Sequence, residues 1–266
     1  ASAVDDAADG PARVVGVDAE GHEVEIHADA VVGADGSRSI VRQAVTGEGE
    51  HGGHFREYPF AWFGILCEAA PSAHELIYAN SDEGFALISQ RSPTVQRMYF
   101  QCDPSADPDD WTEDELWETL QARVPGTTLH TGPIFQRDVL RFRSFVASRL
   151  ARGRLALAGD AAHTVPPTGA KGMNLAIADV VILVDALVAL LGGDPTAMGR
   201  YETAVSRRIW RAQHFSWWMT SMLHAAPGAS EFDRRRQEGE LRTIVESESG
   251  RRLLAEGYTG MPFSVG

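Results

Sequence analysis

The sequence predicts a mixed fold, part α/β and part α+β, from three observations. Short segments rich in aromatic and branched residues fill the middle third (61–67, 75–79, 85–90 and 96–101), as in an antiparallel sheet. A buried-type strand at 155–158 runs into a Gly/Pro turn and then a long apolar helix, the arrangement that puts ligands at strand ends in open α/β sheets. Beyond Gly169 the pattern is mostly helical, over 171–191, 195–222 and 230–247.

In chain order, residues 1–10 form a small acidic lead-in without periodicity, opening on Ala1 rather than Met, so the chain is expected to begin within a longer one. Residues 13–17 and 23–27 alternate apolar and polar around Asp18-Ala19-Glu20-Gly21, which predicts a hairpin. A short strand at 30–33 leads into Ala34-Asp35-Gly36-Ser37-Arg38. The Gly/His-rich stretch 47–54 reads as a linker, giving domains at 1–50, 51–150 and 151–266. Residues 111–124 predict a helix, with acids in its first turn and Leu116, Leu120 and Val124 four apart. Strand pattern returns at 139–146. Gly192-Gly193 stops one C-terminal helix, and Asp194-Pro195 starts the next as cap and first-turn proline.

A net charge of −13 excludes a general phosphate-tracking surface, so no nucleic-acid partner is expected. The basic and aromatic residues Arg207, Arg208, Trp210, Arg211, Trp217 and Trp218 read instead as an interhelical or subunit interface. Cys67 and Cys102 stand in no metal or redox spacing, which fits a reducing cytoplasm. The longest apolar run, 176–191, is interrupted by Asp179 and Asp185 and reads as a buried helix, not a membrane span. His163 has no second ligand at suitable spacing, so no metal is expected.

Two motifs carry chemistry. In the segment 154–174, Gly159 and Asp160 end a strand, and Pro166, Pro167, Thr168, Gly169, Lys171 and Gly172 crowd the turn before a helix. Asp160 can accept hydrogen bonds from a polyol, and the helix amides favour negative charge. The alternative is a plain strand-turn-helix capped by Asp160. Ser89 and Arg91, two apart on a predicted strand, are expected to face one side and to suit a carboxylate.

The first motif resembles the second flavin-contacting segment of the single-component FAD-dependent aromatic hydroxylases, and residues 31–42 resemble that family's Asp-Gly motif. Residues 74–80, 84–92, 208–210, 215–221 and 258–262 are similar to the branch that hydroxylates 4-hydroxybenzoate to 3,4-dihydroxybenzoate. The resemblance implies the remainder of a Rossmann-like FAD-binding domain without its first βαβ unit, an antiparallel-sheet substrate domain and a C-terminal helical region. It also implies FAD as cofactor, NADPH or NADH and oxygen as co-substrates, and a homodimer.

Residue by residue, the resemblance implies that Ser89, Arg91 and Tyr99 clamp a substrate carboxylate, while Tyr78 and Tyr258 relay a proton from its phenol. Pro167 and Thr168 would line the place where oxygen meets the ring. Asp35, Gly36, Gly159, Asp160, Gly169, Lys171, Gly172, Met173 and Asn174 would contact FAD. Arg38, Arg42 and Arg143 would hold the nicotinamide nucleotide, although the family's better-known members carry histidine where Arg38 stands. Trp62 would back the substrate cavity or serve as ordinary core.

No Gly-x-Gly-x-x-Gly follows a predicted strand, the setting in which that fingerprint seats the ADP half of FAD. These 266 residues alone are therefore expected to bind FAD poorly, to lack activity and to be poorly soluble. Two alternatives stay open: a hydroxylase of another phenolic acid, and a non-catalytic remnant that binds aromatic acids or pairs with a subunit.

Overall fold

A computed structural model describes residues 1–5, 10–47 and 52–260. The chain opens with an antiparallel sheet of β1 (Ala3–Asp5), β2 (Ala12–Val17) and β3 (Glu23–Ala28), in that order. The β2–β3 hairpin is the expected one, turned by Asp18, whose carboxylate accepts from the amides of Glu20 and His22. The lead-in is not featureless, because Ala3–Asp5 pairs with Arg13–Val15. Three residues are too few to display a period, and only the partner strand defines them.

Next come β4 (Val31–Gly33), α1 (Ile40–Thr46), β5 (Gly53–Cys67), β6 (Ile77–Ser81), β7 (Gly84–Ser92), β8 (Val95–Cys102), α2 (Glu113–Arg123) and β9 (Ile134–Ala147). They are followed by β10 (Ala151–Arg152), β11 (Leu155–Leu157), β12 (His163–Thr164), α3 (Gly172–Leu191), α4 (Ala197–Leu223), α5 (Glu231–Glu246) and α6 (Glu248–Thr259). Of the expected linker, residues 48–51 lie outside the described residues, while Gly53 and His54 already belong to β5. The third expected helix begins at Ala197 rather than 195, since the Asp194 carboxylate accepts from the amide and hydroxyl of Thr196.

The chain forms two compact units. The first comprises Ala1–Arg56, Arg143–Trp217 and Glu256–Gly266; the second comprises Glu57–Phe142 and Trp218–Ala255. The three consecutive segments read from the sequence thus interleave, and the chain passes between units within β5, β9, α4 and α6.

In the first unit, β4 and β11 run parallel, with Val31 opposite Leu155 and Gly33 opposite Leu157. A side chain at Gly33 would press within 2.7 Å of Val41 and 2.9 Å of Leu157, so only glycine lets α1 lie this close. Leu155, Leu157, Leu183, Val205 and Ile209 lie in the core of this unit. The helix α3 departs from the expected buried element. Leu175, Ala178, Asp179, Leu183 and Ala186 face inward. Met173, Ile177, Val180, Val181, Val184, Val188 and Leu191 form an exposed apolar stripe. By length and composition α3 is apolar enough to cross a membrane.

In the second unit, β5, β8, β7 and β6 are hydrogen-bonded neighbours in that order. Alternation splits this sheet cleanly. One face carries Phe63, Ile65, Cys67, Ala86, Ile88, Met98 and Phe100 and packs with Leu116 and Leu120 of α2. A Thr112–Glu115 capping box starts α2 where the acidic first turn predicted it. The opposite face carries Trp62, Tyr78, Phe85 and Tyr99.

Candidate functional site

Register places Tyr78 opposite Leu87, Leu87 opposite Tyr99, and Tyr99 opposite Gly64, so these four share one row and one face. Tyr78 and Tyr99 stand two strands apart, about 10 Å between backbones. A side chain at Gly64 would come within 2.7 Å of the Tyr99 ring and 2.9 Å of the Asp138 carboxylate, so the glycine makes room for the phenol to lie down.

The ladder is irregular at Arg91. The ladder pairs Gln90 with Gln96 and Ser92 with Val95, and the register shifts between Gln90 and Ser92. The Arg91 guanidinium acts on the Tyr99 hydroxyl across this irregularity. Burial pushes the Tyr99 phenol up from its ordinary value, against the pull of Arg97 and Arg91, so the hydroxyl keeps its proton. The Arg97 guanidinium lies 4.9 Å over the Tyr99 ring and is paired with Asp138 at 3.1 Å. Ser89 lies beside them, its hydroxyl donating to the Arg97 carbonyl at 3.0 Å. The second unit therefore gathers Tyr78, Ser89, Arg91 and Tyr99.

Behind this row is a buried aromatic wall. Trp62 stacks on Phe85 at 5.2 Å and tilts against Tyr99 at 4.8 Å, while Phe85 faces Tyr78 at 6.1 Å. Sequence reasoning missed His224, which lies against Phe85 at 4.2 Å and accepts from the Trp62 indole N–H at 2.6 Å. Burial lowers its imidazole from the ordinary value to about 3, and Arg123 also disfavours the charge. A neutral imidazole at neutral pH suits the bonding: Nδ1 donates to the Thr220 carbonyl at 2.9 Å and Nε2 accepts from Trp62. A histidine just past the end of α4, 162 residues from its partner, gives no local signal.

In the first unit, the parallel pairing brings the two motifs together, since Asp35 follows β4 and Asp160 follows β11. Gly36 and Gly159 adopt φ of 78° and 63°, where other side chains are strained. Asp35 accepts from the Ile40 amide at 3.0 Å. The Gly159 amide donates to buried Asp179 at 2.9 Å, and Asp179 pairs with buried His163 at 2.6 Å. His163 and Asp179 thus form a sequestered pair. Asp160 itself is exposed.

Pro167–Gly169 forms a 3-10 turn ending at Ala170 in the left-handed region, and the Pro167 carbonyl accepts from the Ala170 amide. Gly169 abuts Ser216, and a side chain there would meet its hydroxyl at 2.6 Å. Thr168 is buried; Met173 and Asn174 are exposed in the first turn of α3. That turn has no side-chain cap and no acidic residue, and its first intrahelical bond is from Leu175 to Lys171. The amides of Gly172, Met173 and Asn174 are thus without intrahelical partners, and an anionic edge of a flavin fits there. An exposed Asp160 nearby in sequence fits the polyol of such a group.

Tyr258 reaches this turn from the far end of the chain. Lys171 donates to its carbonyl and lies 5.6 Å over its ring, and Phe215 meets that ring edge-on. A side chain at Gly257 would strike Phe215 at 2.3 Å, so the glycine permits the approach. Burial lowers the Lys171 ammonium below its ordinary value. Met261 and Pro262 of the same motif lie outside the described residues.

The three arginines expected at a nucleotide are unlike one another. Arg38 is exposed, and Arg143 donates to the Ser37 hydroxyl at 3.0 Å. Arg42 is buried, donates to the carbonyls of Ala161 and Ser37, and lies 4.6 Å over Phe145. Arg42→Met should therefore cost stability, about 2–4 kcal/mol from two carbonyls left bare, whereas Arg38→Ala should stay within about 0.5 kcal/mol. Urea unfolding of the two variants checks this; equal midpoints would contradict it.

Comparison with known proteins gives this geometry a context. The chain is 39% identical over 252 residues to p-hydroxybenzoate hydroxylase of Acinetobacter baylyi, covering 93% of this chain and 62% of that protein. It is 27% identical over 182 residues to a probable NADH-specific resorcinol 4-hydroxylase of Rhodococcus jostii, covering 68% of this chain and 34% of that one. The chain thus spans less than two thirds of these relatives. Among solved structures, p-nitrophenol 4-monooxygenase PnpA of Pseudomonas putida shares the fold, with a TM-score of 0.76 at 20% identity over 98% of this chain and 66% of that one. The Diels-Alderase PyrE3 of pyrroindomycin biosynthesis also shares it, with a TM-score of 0.73 at 24% identity over 98% of this chain and 55% of that one. A sequence profile described as FAD binding domain matches residues 1–216, and the chain belongs to that family.

Proposed function

We propose that the protein containing this chain is an FAD-dependent monooxygenase that hydroxylates 4-hydroxybenzoate to 3,4-dihydroxybenzoate, with reduced nicotinamide nucleotide and oxygen as co-substrates. The observation that carries the proposal is the row on the second unit, where the Arg91 charge acts on Tyr99 and Tyr78 shares the Tyr99 face. The Arg91 guanidinium and the protonated Tyr99 hydroxyl can both donate to a carboxylate. Ser89 keeps its place beside them but must release the Arg97 carbonyl before it donates to ligand.

Tyr78 stands where the other end of a para-substituted ring falls. A phenol hydrogen-bonded to its hydroxyl loses its proton more easily, and the resulting phenolate makes the ortho carbon nucleophilic. A role for Tyr258, at the Lys171 turn of the first unit, in moving protons is part of the same proposal. Asp35, Gly36, Gly159, Asp160, Gly169, Lys171 and the amides of residues 172–174 would hold FAD; bound there, FAD supplies electron acceptance from the nucleotide and activation of oxygen. Arg38 and Arg143 are the exposed candidates for the nucleotide's phosphates. Support for the substrate comes from the Acinetobacter baylyi relative.

The test is turnover by the full-length FAD-loaded protein. Formation of 3,4-dihydroxybenzoate from 4-hydroxybenzoate, with Tyr78→Phe losing at least about a hundredfold in kcat, is expected. No hydroxylated product with either nucleotide, or an undiminished Tyr78→Phe, would defeat the proposal.

A further inference from the structure

The buried imidazole of His224 touches both halves of the aromatic wall. It is only 3% exposed, and its ring lies 4.7 Å from Phe60 and 4.2 Å from Phe85 in stacked geometry. Its Nε2 takes the Trp62 indole proton at 2.6 Å, and its Nδ1 is satisfied by Thr220. Its backbone is pinned as well, since the Gln237 amide donates to the carbonyls of Ser221 and His224, each at 3.0 Å.

From this ring the contacts fork. Trp62, fixed by the indole bond, presses on Tyr99 at 4.8 Å, and Tyr99 is the residue Arg91 holds. Phe85 faces Tyr78 at 6.1 Å. The acid end and the phenol end of the row thus share one support.

We propose that His224 is a positioning residue for substrate: it fixes the Trp62 indole and the Phe85 ring and thereby sets the spacing of the Tyr99–Arg91 and Tyr78 ends. This rests on the functional reading above. A hydrocarbon could fill the same volume, but it would leave the indole N–H buried without an acceptor and free to pull Trp62 toward another one. A stacked contact alone does not fix an indole about its Cβ–Cγ bond, whereas a bond to a ring anchored at Thr220 does. The specific requirement is an acceptor at the place of Nε2.

The experiment compares His224→Leu, His224→Gln and Arg91→Ala in the full-length FAD-loaded protein, measuring Kd for 4-hydroxybenzoate, KM, kcat and the indole N–H resonance of Trp62, assigned with Trp62→Phe. His224→Leu is expected to weaken binding about tenfold or more and to move the Trp62 resonance upfield. His224→Gln, which restores an acceptor, should return to within about threefold of wild type. Should His224→Leu not fold, Trp62→Phe removes the same bond from the donor side and is expected to show the same loss.

Wild-type affinity in both His224→Leu and Trp62→Phe, with Arg91→Ala weakened, would overturn this inference alone. Equal weakening by His224→Leu and His224→Gln would overturn it too, since bulk rather than the acceptor would then decide. Wild-type affinity in Arg91→Ala would overturn the functional reading and this inference with it.

Discussion

Arg91→Ala is expected to weaken 4-hydroxybenzoate binding by about 2 kcal/mol, roughly thirtyfold in Kd. Removing one partner of a desolvated charge pair costs about 2–5 kcal/mol. The lower end applies here because Arg91 is exposed, so water screens its charge. Loss of the guanidinium also frees the Tyr99 hydroxyl from its partner, so Tyr99→Phe in the Arg91→Ala background should add less than it does alone. Calorimetric titration of the single and double variants measures both effects. Strict additivity would separate Tyr99 from the clamp, and an unchanged Arg91→Ala would remove the clamp altogether.

Acid is expected to destabilise the second unit through His224. In the folded protein its imidazole titrates at about 3, well below its ordinary value, because burial and Arg123 disfavour the cation. Unfolded, it binds its proton near the ordinary value of about 6.5. Between these values the unfolded chain holds one proton more, so stability rises with pH. The contribution is fully present above about pH 6.5 and is lost as pH falls toward 3, with a limiting slope of about 1.4 kcal/mol per pH unit.

His224→Gln cannot titrate, and all other groups are common to both proteins. Wild type should therefore lose about 2–3 kcal/mol more than the variant between pH 6 and 4. Urea midpoints at pH 7, 6, 5 and 4 read this directly; parallel curves would mean that the imidazole is charged or solvated in the folded state.

Much of the site was legible because its residues sit in sequence frames. Family resemblance over residues 84–92 and 154–174 singles out Arg91 and Asp160 as candidates without coordinates, and hairpin and cap chemistry marks β2, β3 and α2. What local pattern cannot carry is a partner chosen from far away. His224 and Trp62 are 162 residues apart, and Asp179 acquires its role only when Gly159 and His163 reach it. The same limit explains β1, three residues defined by pairing, and α6, whose charged sequence shows no apolar run. The Arg91 bulge is invisible because alternation assumes an unbroken ladder. The α3 stripe was misread for a different reason: an apolar helix looks alike whether its neighbours cover one face or all of it.

The central claim is that one sheet face grips both ends of a single aromatic ring, and ligand analogues test it most directly. Kd values of the full-length FAD-loaded protein would be measured for 4-hydroxybenzoate, for benzoate, which lacks the hydroxyl, and for phenol, which lacks the carboxylate. Each analogue is expected to bind at least about tenfold more weakly than 4-hydroxybenzoate, phenol the weakest because it forfeits the Arg91 pairing. Phenol binding as tightly as 4-hydroxybenzoate would contradict the account, because the arginine end would then contribute nothing to recognition.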